Sequence, residues 1–113
     1  MSNRKIDTLL RKRAELVEKL GRQTWLVQGT WVERYSTCSR PDCRCHQGTR
    51  HGPRYYVSIM RDGKQRQIYV RRQHELLVKE AIQQGQVVDD LLRQITDINL
   101  ELLKEGTYDD VQP

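Results

Sequence analysis

Phenylalanine is absent from the 113 residues, and aromatic side chains make up only 6% of them. Apolar residues of every kind reach 36% against 31% charged, and the mean hydropathy is −0.82. A chain this poor in large apolar side chains cannot fill a single large core. Amphipathic helices, a metal staple or a partner chain must supply what is missing. Long apolar runs are lacking too. None approaches the ~18 residues of a membrane span, and the chain is polar from Ser2 onward, so a membrane-spanning or secreted protein is excluded and a cytoplasmic one expected. Cysteine occurs three times, all between Cys38 and Cys45. An odd count argues against a disulfide framework and for a reduced compartment.

Charge is plentiful and unevenly placed. Residues 1–29 hold seven Lys/Arg against three acids, residues 30–72 ten against three, and residues 73–113 three against nine. The basic two-thirds predicts an anionic partner, nucleic acid first. The acidic end predicts a solvated helix or a contact with basic surface. A merely soluble Arg-rich surface is the plainer alternative.

The apolar period divides the chain into helix, β-rich middle and helix, without internal repeats. Over residues 3–21, Ile6, Leu9, Leu10, Leu16, Val17 and Leu20 fall at helical spacing, and Gly21 is a natural stop. From 24 to 72 the β-favouring types take over. Asp62-Gly63 is the preferred two-residue hairpin turn, because both central positions require positive φ. It sets a register in which Arg61 faces Lys64, Ile59 faces Arg66, Val57 faces Ile68, Tyr56 faces Tyr69 and Tyr55 faces Val70. One face then carries Tyr55, Val57, Ile59, Ile68 and Val70 as a core face. The other carries Tyr56, Ser58, Met60, Gln65, Gln67 and Tyr69. An isolated hairpin is marginal in water, so Thr30–Thr37 is expected as a third antiparallel strand.

Residues 73–105 return to helical period. Heptads numbered from His74 give the seam His74, Leu77, Ala81, Gln84, Val88, Leu91, Ile95, Ile98 and Leu102. The seam does not slip at Gly85, which predicts one coiled-coil-like helix with the glycine off the seam, at a cost of about 1 kcal/mol. At roughly 45 Å, such a helix outreaches the first one. It is expected to pair also with a second copy or a foreign helix, a plain intramolecular helix hairpin being the alternative. Residues 106–113 are expected to fray. The fold class is therefore α+β in a single domain: a short helix, a three-stranded antiparallel sheet with a zinc-knuckle insertion, and a long helix.

The stretch from Cys38 to Pro53 reads C-x4-C-x-C-x5-H. Thiolates and imidazole at such short spacing suit tetrahedral Zn²⁺, which favours S and N donors and is closed by four ligands. Cys38, Cys43, Cys45 and His51 are the candidate ligands. His46 is the rival fourth, but it follows Cys45 directly, which makes convergence on one ion awkward. Free loop thiols and a disulfide with a leftover third cysteine are the competing readings. A closed Cys₃His site leaves no position for water and is structural. Arg40, Arg44 and Arg50 lie between the ligands and are expected to lower the thiol pKa values.

The run Cys-Ser-Arg-Pro-Asp-Cys-Arg-Cys, then His-Gly-Pro-Arg-Tyr-Tyr-Val, then Tyr-Val before a long helix resembles a family of short uncharacterised bacterial proteins, a domain of unknown function. The resemblance covers residues 24 to about 104. That family keeps the three Cys and the His-Gly-Pro and varies at the place of His46, which implies His51 as the ligand. It commonly has Pro after the Tyr-Val, where this chain has Arg71, and the resemblance implies a link to mobile genetic elements. Arg54-Tyr55-Tyr56-Val57 and Asp62-Gly63-Lys64 are also similar in outline to the arm-type DNA-binding domains of phage integrases, which lay a sheet in the major groove.

Three functions compete on these residues. As a nucleic-acid-binding accessory or regulatory protein, the chain would use Arg54, Arg61, Lys64, Arg66, Arg71 and Arg72 around a face bearing Tyr56 and Tyr69. DNA is expected before RNA. The plain alternative for the tyrosines is cross-strand packing. As an assembly module, the chain would dimerise or recruit a partner through the acidic helix. As an enzyme it lacks a nucleophile–base–acid set, a Gly-rich phosphate loop and a carboxylate pair beside the metal. No catalytic activity is expected.

Overall fold

In the computed structural model, which describes residues 4–48 and 50–105, the spacing of Ile6, Leu9, Leu10, Leu16 and Leu20 gives the apolar face of helix α1 (Arg4–Gly21). Three antiparallel strands follow in the order β1 (Thr30–Ser36), β2 (His51–Arg61) and β3 (Lys64–Val70). Helix α2 (Glu75–Lys104) closes the chain as one uninterrupted 30-residue element. The layout is α+β, with the cysteine-bearing segment inserted between β1 and β2. The expected fraying of 106–113 lies outside the described residues.

Contacts group the chain into two units, one formed by the segments up to Trp25 and from Gln86 onward, the other by Leu26–Gly85. In the first unit, Leu16 of α1 packs with Leu91, Ile98 and Leu102 of α2, and Ile6, Leu9, Leu10, Leu20 and Ile95 fill in around them. Polar pairs border this seam. Lys5 Nζ meets Glu101 at 3.0 Å and Glu105 at 2.7 Å, and Arg13 Nη1 donates to Asn99 Oδ1 at 2.9 Å.

In the second unit the hairpin has the expected register from Tyr55↔Val70 to Arg61↔Lys64, because Asp62 (φ 54°) and Gly63 (φ 75°) take the left-handed conformations that such a turn demands. β1 adds Trp31↔Val57 and Glu33↔Tyr55 on the same face. Val57 and Val70 are buried there against Ile82 of α2, with Val27, Trp31, Tyr55, Ile59 and Val78 packed around them. Ile68 was expected in this core but is half exposed, since the apolar side chains packed here gather on β2 and at the Val70 end of β3.

Two expectations about α2 need correction. Its first heptad does not use His74 and Leu77, which are exposed. Residues Arg72–His74 form a 3₁₀ turn, and the sheet meets the helix through Val78 and Ile82 instead. From Ala81 onward the apolar seam positions are buried or half-buried as expected. Gly85 is not an idle position off the seam either. A Cβ there would stand 2.2 Å from the Val27 carbonyl oxygen, and the Val27 N–H donates to the Ala81 carbonyl at 2.9 Å. A loop backbone lies directly on the helix backbone, which only a missing side chain allows.

Candidate metal centre

Strand pairing itself delivers the first and last ligands. Cys38 stands two residues past the end of β1, and His51 is the first residue of β2, paired with Ser36 beyond a register shift between Arg34 and Ser36. Gly52 (φ 134°) lets the strands close at this point, since a Cβ there would lie 2.7 Å from the Arg34 carbonyl oxygen. Between them, the 3₁₀ turn Arg44–Gln47 carries Cys45 inward, and Cys43 sits at its N-cap. Gly48, at φ 113°, ends the turn in the left-handed conformation.

The ligand atoms of Cys38, Cys43, Cys45 and His51 all lie within 4.8 Å of one another, with Cys38 Sγ 3.5 Å from Cys45 Sγ and Cys43 Sγ 3.2 Å from His51 Nε2. A tetrahedral site with metal–sulfur bonds near 2.3 Å has edges of about 3.8 Å, so the four donors fit one ion with little adjustment. His46 is exposed and is not among the four; only its backbone N–H takes part, donating to the Cys43 carbonyl at 3.1 Å. The three thiols are unpaired in disulfides. This cluster can hold a metal ion.

The surroundings treat the thiols unequally. Cys43 is pulled down to about 6, first by the backbone N–H of Cys45 and then by the Cys38 and Cys45 thiols. Burial pushes Cys45 up, against the Cys38 N–H that donates to its sulfur at 3.2 Å. The expected lowering by Arg40, Arg44 and Arg50 is not the cause: backbone and thiol hydrogen bonds outweigh them. A backbone amide a few ångströms away is fixed in place, whereas an exposed guanidinium is screened by water.

The residues proposed to contact nucleic acid divide between the two faces of the sheet. Arg54 shares the face of Tyr56 and Tyr69, away from Val57 and Val70. Arg61, Lys64 and Arg66 fall on the opposite face, in line with Ile59, because a strand alternates strictly with period two. Arg71 and Arg72 lie past β3, where Arg71 is extended at φ −64°, a value that proline also adopts. Tyr56 and Tyr69 pack edge to face, 5.7 Å between ring centroids, and Tyr69 is 59% exposed. Arg34 was missed. β1 places it opposite Arg54, with its guanidinium 5.7 Å over the Tyr56 ring. The expected third strand was its available signal, had its register been worked through.

On the core face, Trp31 and Tyr55 pack at a 39° tilt with ring centroids 5.1 Å apart, and Lys79 Nζ lies 5.0 Å over the Trp31 ring and 2.9 Å from Glu75. These polar groups cap the core of the second unit. Among the described residues no helix is long and apolar enough to cross a membrane.

Fold and site together define a small α+β protein whose hairpin is joined through a Cys₃His cluster. The chain belongs to the family described as Domain of unknown function (DUF6788), which matches residues 6–84. The match takes in all but the first two residues of α1, the sheet and all four clustered ligands, and it ends inside α2. No curated protein and no solved structure matches the chain.

Proposed function

We propose that this is a zinc-containing nucleic-acid-binding accessory protein of a reduced compartment, with DNA as the preferred partner. Zinc suits the donor set, since three sulfurs and one imidazole are the ligands a borderline-soft d¹⁰ ion favours, and four ligands make the site structural. The observation that carries the binding reading is the outer sheet face. Helix α2 packs on the other side, which leaves Arg34, Arg54, Tyr56 and Tyr69 with no helix over them in their own unit. The arginines suit phosphates, and Tyr69 suits a base or sugar edge. The likeness to arm-type domains favours a setting in phage or mobile-element biology. No catalytic role is part of this reading. A concavity of about 1030 Å³ between residues 26–30, the hairpin and Val78 is lined by no carboxylate.

The test is fluorescence anisotropy on labelled duplex DNA, single-stranded DNA and RNA over a salt series. Binding should weaken with salt. It should fall by about tenfold or more in Arg34→Ala plus Arg54→Ala, and less in Arg61→Ala plus Arg66→Ala. Salt-independent or absent binding to every form would overturn it.

A second reading, assembly through α2, is favoured by Leu92, Leu100 and Leu103, which are exposed on the acidic helix. A dimer by sedimentation that dissociates in Leu103→Asp would support it, and a monomer at high concentration would remove it.

A further inference from the structure

Beside the cysteine cluster, on the outer face of β1 and β2, a cleft of about 460 Å³ is lined by Arg34, Arg50 and Arg54 together with Tyr35, Ser36 and Tyr56. We infer that this cleft is a seat for one phosphate group. Arg34 and Arg54 are direct cross-strand partners. Like charges so placed repel and destabilise a sheet, and neither is paired with a carboxylate among the described residues. Arg50, from the segment that leads into β2, adds a third positive charge at the same cleft. Glu33 is the one acid at the rim; its ladder partner is Tyr55, and its carboxylate accepts from Trp31 Nε1 at 3.4 Å. Tyr56 stacks under the Arg34 guanidinium and limits its rotation. Planar forks facing one space match the tetrahedral oxygens of phosphate, which bind bidentately and offset the repulsion. A carboxylate would satisfy one fork, whereas a phosphate can satisfy two.

The phosphate comes either from a nucleic-acid backbone or from a free phosphate or phosphomonoester; the first source rests on the reading given above. The two are separated by following the arginine Nε–Hε resonances of the full, metal-loaded chain in NMR. Inorganic phosphate and an oligothymidylate are titrated separately against a chloride control. Phosphate should shift Arg34, Arg50 and Arg54 and leave Arg61 and Arg66 in place, and Arg54→Gln should abolish the shifts. If the oligonucleotide moves the same three signals, the seat holds a backbone phosphate, and Arg54→Gln should lower the slope of log K against log salt by about one. If phosphate moves them and the oligonucleotide does not, the seat stands with a free phosphate as its ligand, and the nucleic-acid reading is left to the anisotropy test on duplex DNA and RNA. Equal shifts at Arg61 and Arg66, or none at the three cleft arginines, would overturn the inference.

Discussion

Gly85 of α2 and Val27 meet backbone to backbone, so closely that a Cβ on the glycine would sit 2.2 Å from the Val27 carbonyl oxygen. In an open helix, Gly→Ala gains about 1 kcal/mol. Here the added methyl must push the loop off the helix and break the Val27 N–H to Ala81 hydrogen bond. Gly85→Ala is expected to destabilise by about 1–3 kcal/mol. Gly21→Ala, whose Cβ meets nothing within 4 Å, should be neutral or stabilising. In urea denaturation the midpoint should fall for Gly85→Ala and should not fall for Gly21→Ala.

Leu102 and Leu103 are neighbours in sequence with opposite roles. Leu102 is fully buried among Leu16, Leu91 and Ile98, whereas Leu103 is 57% exposed. Leu102→Ala should cost about 2–5 kcal/mol, and Leu103→Ala should fall within about 0.5 kcal/mol of the parent. Equal losses in thermal melts would contradict this placement of the α2 seam.

Metal content should follow the geometry of the cluster. His51→Ala and Cys45→Ser are expected to lower bound zinc well below one ion per chain, and His46→Ala should retain it. Elemental analysis of purified protein decides the matter. Binding at a structural site of this kind adds to folding stability, so a strong chelator should lower the melting temperature of the parent protein. It should leave that of Cys45→Ser unchanged.

With the ion removed, the thiols should differ in reactivity. Cys43, held near 6 and only half-buried, is largely thiolate at neutral pH, whereas Cys45 is buried and pushed up. Alkylation mapped by mass spectrometry should therefore reach Cys43 first and Cys45 last. The Cys43 rate should rise with pH through about 6 and then level off.

The Glu75 carboxyl is held below its ordinary value, mainly by Lys79 and secondarily by Tyr55. A depressed folded pKa contributes stability that is full above the unfolded value, about 4.3. That contribution is lost as pH falls through the folded value. The melting-temperature gap between the parent and Glu75→Gln should stay constant at neutral pH and narrow on acidification below about 5. A gap that widens would reverse the assignment.

Much of this was legible in the residues. Asp62-Gly63 specified its turn through local chemistry alone, and the whole β2–β3 register followed. The short Cys and His spacing left few ways to avoid convergence once Gly48 and Gly52 turned the chain. What stayed hidden was non-local. Nothing near Gly85 says that residue 27 will lie on it, and nothing near His74 says that the sheet will reach α2 through Val78. The split of the basic residues is different. Period-two counting from Ile59↔Arg66 already separates Arg66 from Tyr56, so the signal was present and the charge total obscured it.

His51 belongs at once to the β-ladder and to the cysteine cluster. Sliding β2 by one residue against β1 would turn its side chain to the reverse of the sheet and take the imidazole out of the coordination sphere. Residues 37–50 form a far longer connection than the two to five residues usual in hairpins, so the connection alone enforces no alignment. An ion bound by this donor set would perform that task, acting as a proofreader that admits one strand alignment and rejects its neighbours.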